Sequence, residues 1–138
     1  MKKIAIVGSR YMSSYGREVI KKLMVALKNK AEIVTIKVMG CNGEVLQSRI
    51  KNGGPYKLFE GENFEKLNEE VANYADILVI IEGGEKSGTI LLADKFIEKG
   101  KNVYGVPGRI TDKGSYATNW LIKQGANILT EVDDIIDL

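Results

Sequence analysis

Hydrophobic and polar residues along this chain fall into two alternating patterns. Short, mostly apolar runs occur at residues 3–7, 33–38, 77–81 and 102–106. Runs of that length with both faces apolar predict parallel strands covered by helices on each side. Between them, apolar residues recur at helical spacing. Val19, Ile20, Leu23, Met24 and Leu27 predict a helix running to Asn29, with Ser13 or Ser14 as its cap after a loop over 11–14. Phe64, Leu67, Val71 and Tyr74 form the inner face of a helix over 62–74 whose first turns are acidic. Ile90, Leu91, Leu92, Ala93, Phe96 and Ile97 predict another, closed by Lys99-Gly100. Ser115 caps a helix over 116–124 with Ala117, Trp120 and Leu121 inward, and 131–138 reads as an acidic helix packed through Val132, Ile135 and Ile136.

Three elements carry weaker patterns. Gly40-Cys41-Asn42-Gly43 is a turn signal, followed by a short helix over 44–51 with Val45, Leu46 and Ile50 inward. Asn52-Gly53-Gly54-Pro55 ends it, and residues 56–59 and 127–129 are short strand candidates. Strands alternating with helices predict an α/β fold: a three-layer, doubly wound, Rossmann-like domain with a mainly parallel sheet in the order 3-2-1-4-5-6. At 138 residues the chain is read as one domain over 1–138.

Composition narrows the chemistry. Histidine is absent, which removes the commonest general base and metal ligand, so no metal site and no serine triad is expected. The single cysteine, Cys41, has no partner for an intrachain disulfide, and the apolar runs are too short to span a bilayer. A cytoplasmic protein is the expectation. Net charge is only +2, but residues 1–60 carry 12 Lys/Arg against 4 Asp/Glu, and residues 61–138 carry 8 against 14. Either the basic half forms one face suited to nucleic acid, or the halves interleave and the charges average out.

The stretch with the most chemistry is 76–89. An apolar strand breaks into Gly83-Gly84, and after Ser87-Gly88-Thr89 a helical pattern begins. Strand, glycine-rich turn and helix start make an anion site, because free amide N–H groups point outward and glycine lets a ligand approach the backbone. With strands 1, 4 and 5 as neighbours, three turns meet at one sheet edge: Gly8-Ser9-Arg10, Gly83 to Thr89 with Lys86, and Pro107-Gly108-Arg109. Arginine binds phosphate bidentately and lysine acts as a point charge. Glu82 and Glu85 flank the glycines and read either as an acid or base or as helix N-terminal carboxylates. The GxGxxG and Walker patterns are both absent.

A series of segments resembles the DprA/Smf family of DNA-processing proteins. They are residues 76–82, Lys86-Ser87-Gly88-Thr89, Ala93, 100–103, Val106-Pro107-Gly108, 115–119, Leu121-Ile122, Gly125-Ala126, and the N-terminal run 4–10 with Tyr15-Gly16. The resemblance implies a Rossmann-type fold, single-stranded DNA binding, a homodimer, a RecA-type recombinase partner and no enzymatic activity. It also implies Arg10, Lys86, Ser87, Gly88, Arg109 and Asn119 as backbone-phosphate contacts. Two family segments depart: residues 38–42 replace its Ser-Gly-x-Ala-x-Gly-Ile-Asp, and 70–73 replace its Arg-Asn pair. The glycine turn also resembles LOG-like nucleotide hydrolases, though Leu92 stands at their catalytic Glu. Three readings follow: a module holding single-stranded DNA through phosphates, a nucleotide sensor or hydrolase using the same anion site, or a degenerate relative that contacts another protein through Tyr11, Tyr56, Tyr116 and Trp120. No cofactor is expected.

Overall fold

At the centre of the computed structural model, which describes residues 1–136, β1 (Lys2–Val7) lies beside β4 (Ile77–Ile80). Ile4 pairs with Ile77 and Val7 with Ile80. β2 (Ala31–Ile36) and β3 (Tyr56–Phe59) extend the sheet on one side, β5 (Asn102–Gly105) and β6 (Asn127–Ile128) on the other. The order is β3-β2-β1-β4-β5-β6, every pair parallel, as the alternating pattern predicts. Strand order reverses between β1 and β4, so the edge beyond Val7 and Ile80 is the switch point where open α/β sheets bind ligands.

Helices cover both faces. α1 (Ser14–Ala26), α2 (Cys41–Asn52) and α6 (Asp133–Ile136) pack on one through Ile20, Leu23, Met24, Val45 and Ile135. α3 (Phe64–Tyr74), α4 (Thr89–Glu98) and α5 (Tyr116–Lys123) pack on the other through Leu67, Val71, Leu92, Phe96 and Leu121. A short 3₁₀ turn, Lys113–Ser115, leads into α5. The expected final helix over 131–138 is seen as α6; Asp137 and Leu138 lie outside the described residues. The strands of the basic half stand together as β3-β2-β1, with α1 and α2 on one face. α3 of the acidic half covers the other face of β1 and β2, and α6 joins α1 and α2, so the charged halves interleave in part.

Four details differ from the pattern reading. α2 begins at Cys41, inside the expected turn, because Gly40 turns the chain at φ +79° and the helix starts at once. The earlier start sets its phase: Cys41, Asn42, Val45, Ser48 and Arg49 face inward, while Ile50 is 58% exposed. Arg49 is fully buried. Its guanidinium donates to Pro55 O (3.1 Å), Leu27 O (3.0 Å) and Ala31 O (2.5 Å), tying the end of α1 to the starts of β2 and β3. Phe64 stands at the start of α3 and is 55% exposed, and Trp120 on α5 is 39% exposed rather than inward. β2 starts two residues earlier than its apolar run, since Ala31 already pairs with Lys2.

Candidate functional site

The turn after β1 is tied down from within. Gly8 N–H donates to Asn42 Oδ1 (2.9 Å), Ser9 N–H to Glu82 O (2.9 Å) and Tyr11 N–H to Ser9 Oγ (3.0 Å). A Cβ on Gly8 would lie 2.6 Å from the Cys41 Cβ, so this glycine is required by the close approach of α2. Its amide is not available to a ligand. Arg10, by contrast, is exposed and makes no ion pair among the described residues.

Of the two roles expected of it, Glu82 takes that of a helix N-terminal carboxylate, but at a different helix. It is only 5% exposed and faces the start of α1, not that of α4. Oε1 accepts from Ser13 N–H (2.6 Å), Oε2 accepts from Ser13 Oγ (2.7 Å), and Cys41 Sγ lies 3.7 Å from Oε1. Ser13 is the cap of α1, its Oγ accepting from Gly16 N–H (3.0 Å). A buried carboxylate with no cation beside it among the described residues is tolerable here because charge-assisted hydrogen bonds and the positive end of α1 stabilise it. Burial and the Glu82 charge push the Cys41 thiol up to about 12, so Cys41 stays protonated.

The β4–α4 loop divides into a committed and an open part. Gly83 N–H donates to Gly114 O (2.8 Å) and its carbonyl accepts from Ala117 N–H (2.9 Å), binding the loop to α5. Beyond it, the N–H groups of Gly84, Glu85, Lys86 and Gly88 donate to no other described residue. Ser87 Oγ and Thr89 Oγ1 share a hydrogen bond (2.8 Å), and Ser87 Oγ also accepts from Thr89 N–H (3.3 Å). Gly88 has ordinary helical φ, −66°, and a Cβ there would meet nothing within 4 Å. Neither conformation nor packing within the chain asks for glycine at 88.

These residues border a cleft of about 610 Å³. Gly8, Ser9, Arg10, Gly84, Lys86, Ser87, Gly88 and Thr89 are brought together along it. Val7, Ile36, Val38, Leu91 and Leu92 supply an apolar wall, and the exposed rings of Tyr11 and Phe64 stand at its mouth. No Asp or Glu lines it among the described residues. Tyr11, Phe64 and Asn42 could not be placed here from spacing, because they come from the β1–α1 loop and the starts of α3 and α2.

Pro107, Gly108, Arg109 and Asn119 lie one strand further along, past β5, and do not line this cleft. Pro107 O accepts from Tyr15 OH (2.7 Å). The Asn119 amide clasps Gly108, accepting from its N–H (3.2 Å) and donating to its carbonyl (3.0 Å). Arg109 is exposed and pairs with Asp112 (3.0 Å). Glu85 is exposed, with no ion pair among the described residues.

Fold and cleft together define a Rossmann-type α/β domain with an open amide loop at its switch point. A family model described as DNA recombination-mediator protein A matches residues 43–138, and the chain belongs to that family. It is 25% identical to the DNA processing protein DprA of Streptococcus pneumoniae over 170 aligned positions, covering 97% of this chain and 60% of that protein. It is 33% identical to protein Smf of Escherichia coli over 75 residues, covering 54% of this chain and 20% of the relative. The chain thus spans between a fifth and three-fifths of these relatives' lengths. The solved S. pneumoniae DprA superposes with a TM-score of 0.87 at 23% identity, covering 98% of this chain and 60% of that one. DNA processing protein A of Helicobacter pylori, whose structure concerns its single-stranded DNA binding mode, superposes at 0.79 with 20% identity, covering 99% and 79%. Both likenesses show a shared fold. Among the described residues no helix is long and apolar enough to cross a membrane.

Proposed function

We propose that this chain is a single-stranded-DNA-binding domain that holds backbone phosphates at the β4–α4 loop and lets bases lie along the apolar side of the cleft. One observation carries the reading. Among the described residues the cleft has two unpaired cations, Arg10 and Lys86, and open amides, with no carboxylate to oppose an anion. Phosphate favours such a place because helix N-terminal amides and fixed cations both stabilise negative charge. Tyr11 and Phe64 at the mouth suit base stacking, which tolerates any sequence. The glycine at 88 is explained by a ligand approaching the backbone. Arg109 extends the phosphate track past β5, and Asn119 acts through Gly108. The DNA processing relatives and the single-stranded DNA described for the H. pylori protein support the reading. By the same likeness the domain works as a cytoplasmic homodimer that hands DNA to a recombinase.

A mononucleotide is the second reading, favoured by the size and apolar lining of the cleft. The groups expected for hydrolysis of such a guest stand elsewhere: Leu92 is buried where a LOG-like enzyme has glutamate, Glu82 faces Ser13, and Glu85 does not line the cleft. Melting the protein with single mononucleotides and with a labelled oligonucleotide separates the two. A ligand at 100 times its Kd stabilises by about 2.7 kcal/mol. Stabilisation by oligonucleotide supports the first reading; stabilisation by mononucleotide alone overturns it.

A further inference from the structure

Glu82 is a buried acidic group that the proposed function does not use. In an ordinary Rossmann unit the first strand runs through a glycine turn into a helix whose N-terminus takes the ligand's phosphate. Here that helix is α1, and its cap residue Ser13 already gives its N–H and its hydroxyl to the two oxygens of Glu82, at 2.6 and 2.7 Å. The chain is shaped around that carboxylate. A Cβ on Gly16, inside the first turn of α1, would collide with Glu82 Oε1, and one on Gly114 would lie 3.3 Å from Oε2. Gly16 has no positive φ to explain it, so the glycine is there to make room for the carboxylate. Meanwhile the loop leading into α4, on the other half of the sheet, keeps its amides open.

We propose that the Glu82 carboxylate is a built-in occupant of the anion position at the α1 N-terminus, and so decides which helix start on this edge receives ligand phosphate. It is a specificity-determining residue. A phosphate approaching the Ser14 and Tyr15 amides of α1 meets the Glu82 carboxylate and no free donor on Ser13; a phosphate at α4 meets neither obstacle. The choice between α1 and α4 rests on the proposed phosphate site, whereas occupancy of α1 by Glu82 does not.

Occupancy is tested without nucleic acid. Glu82→Gly leaves the Ser13 N–H and hydroxyl proton without acceptors, and formate is the probe. Formate is expected to raise the variant's melting temperature in proportion to the logarithm of its concentration, beyond chloride at equal ionic strength, and to leave the unmodified protein unaffected. An identical response to formate and chloride in the variant overturns the proposal. Gly16→Ala gives an independent check. It should lower the melting temperature strongly when Glu82 is present and much less when combined with Glu82→Gly, and an equal drop in both backgrounds contradicts the proposal. If Glu82→Gly does not fold, Glu82→Gln keeps the volume. The Ser13 amide proton then moves upfield in an NMR spectrum, and an unmoved resonance counts against the idea.

Selection is tested with inorganic phosphate in a background of Lys86→Ala and Ser87→Ala, which weakens the α4 site. Phosphate is expected to shift melting only when Glu82→Gly is added, and the absence of a shift there overturns the selective role. Failure of oligonucleotide binding would sink the proposed function while leaving the formate result standing, so the two failures can be told apart.

Discussion

Glu82 and Ser13, 69 residues apart in the chain, are joined by two hydrogen bonds that close the start of α1 against the end of β4. The same glutamate's carbonyl holds the turn after β1 through Ser9 N–H. One residue therefore ties both the turn after β1 and the start of α1 to the end of β4, and the open glycine loop begins directly after it.

Ser13→Ala removes the helix cap and one charge-assisted hydrogen bond together. A lost cap costs about 1 kcal/mol and a hydrogen bond to a charged group about 1.5–3 kcal/mol. Urea unfolding should show a loss of about 2–4 kcal/mol. A loss below about 0.5 kcal/mol, the ordinary scatter of surface substitutions, would mean that the Glu82–Ser13 link is not formed in solution.

The glycines separate into two kinds. Gly8→Ala forces a Cβ against Cys41 and should destabilise the fold, with overpacking costing about 1–3 kcal/mol. Gly88→Ala meets open space and should leave stability unchanged or slightly raised, while weakening oligonucleotide binding. Denaturant melts and anisotropy titrations on the two variants test both halves; a Gly88→Ala protein that binds like the original contradicts the role of that backbone.

Arg49 is a buried cation held by three carbonyls and, among the described residues, by no carboxylate, and burial lowers its pKa. Arg49→Met leaves those carbonyls unsatisfied and should cost about 3 kcal/mol or more. Arg49→Lys is not conservative, because one ammonium cannot reproduce the planar fork. Thermal melting of the two variants should rank Met below or equal to Lys, and both below the original.

Cys41 gives a pH signature. Its thiol is raised from 9.0 to about 12 in the folded chain, so folding favours the protonated form. The associated stability is complete below pH 9 and is lost as pH rises towards 12, at up to about 1.4 kcal/mol per pH unit. Cys41→Ala should flatten the stability curve measured from about pH 9 upward, over the first part of that window. Iodoacetamide at about pH 8 should label the native thiol only as fast as the protein opens.

Strand order could be read from the chain because both-faced apolar runs and helical spacing are local signals, and each survives in the fold. The open loop could be read for the same reason: Gly84 to Thr89 are contiguous. What was hidden depends on partners far away. Glu82 lies beside the glycines but faces Ser13 and Cys41, which follow β1 and β2. Arg49 took the inward place expected of Ile50 because α2 starts early at Cys41, directly after the Gly40 turn, which no apolar spacing records. Phe64 fits the apolar stripe of α3 by spacing, yet the stripe outruns the sheet and leaves the ring at the cleft mouth.

If phosphates of single-stranded DNA sit between Arg10 and the Lys86–Gly88 loop, binding must depend on salt and on those two cations. A fluorescence-anisotropy titration of a labelled oligonucleotide over a salt series tests this most directly, with the unmodified chain beside Arg10→Ala and Lys86→Ala. Binding is expected to weaken linearly in log–log form, with a slope of about −0.7 for each phosphate neutralised, and a slope shallower by about 0.7 in each variant. No binding at low salt, or binding that neither variant changes, would contradict it.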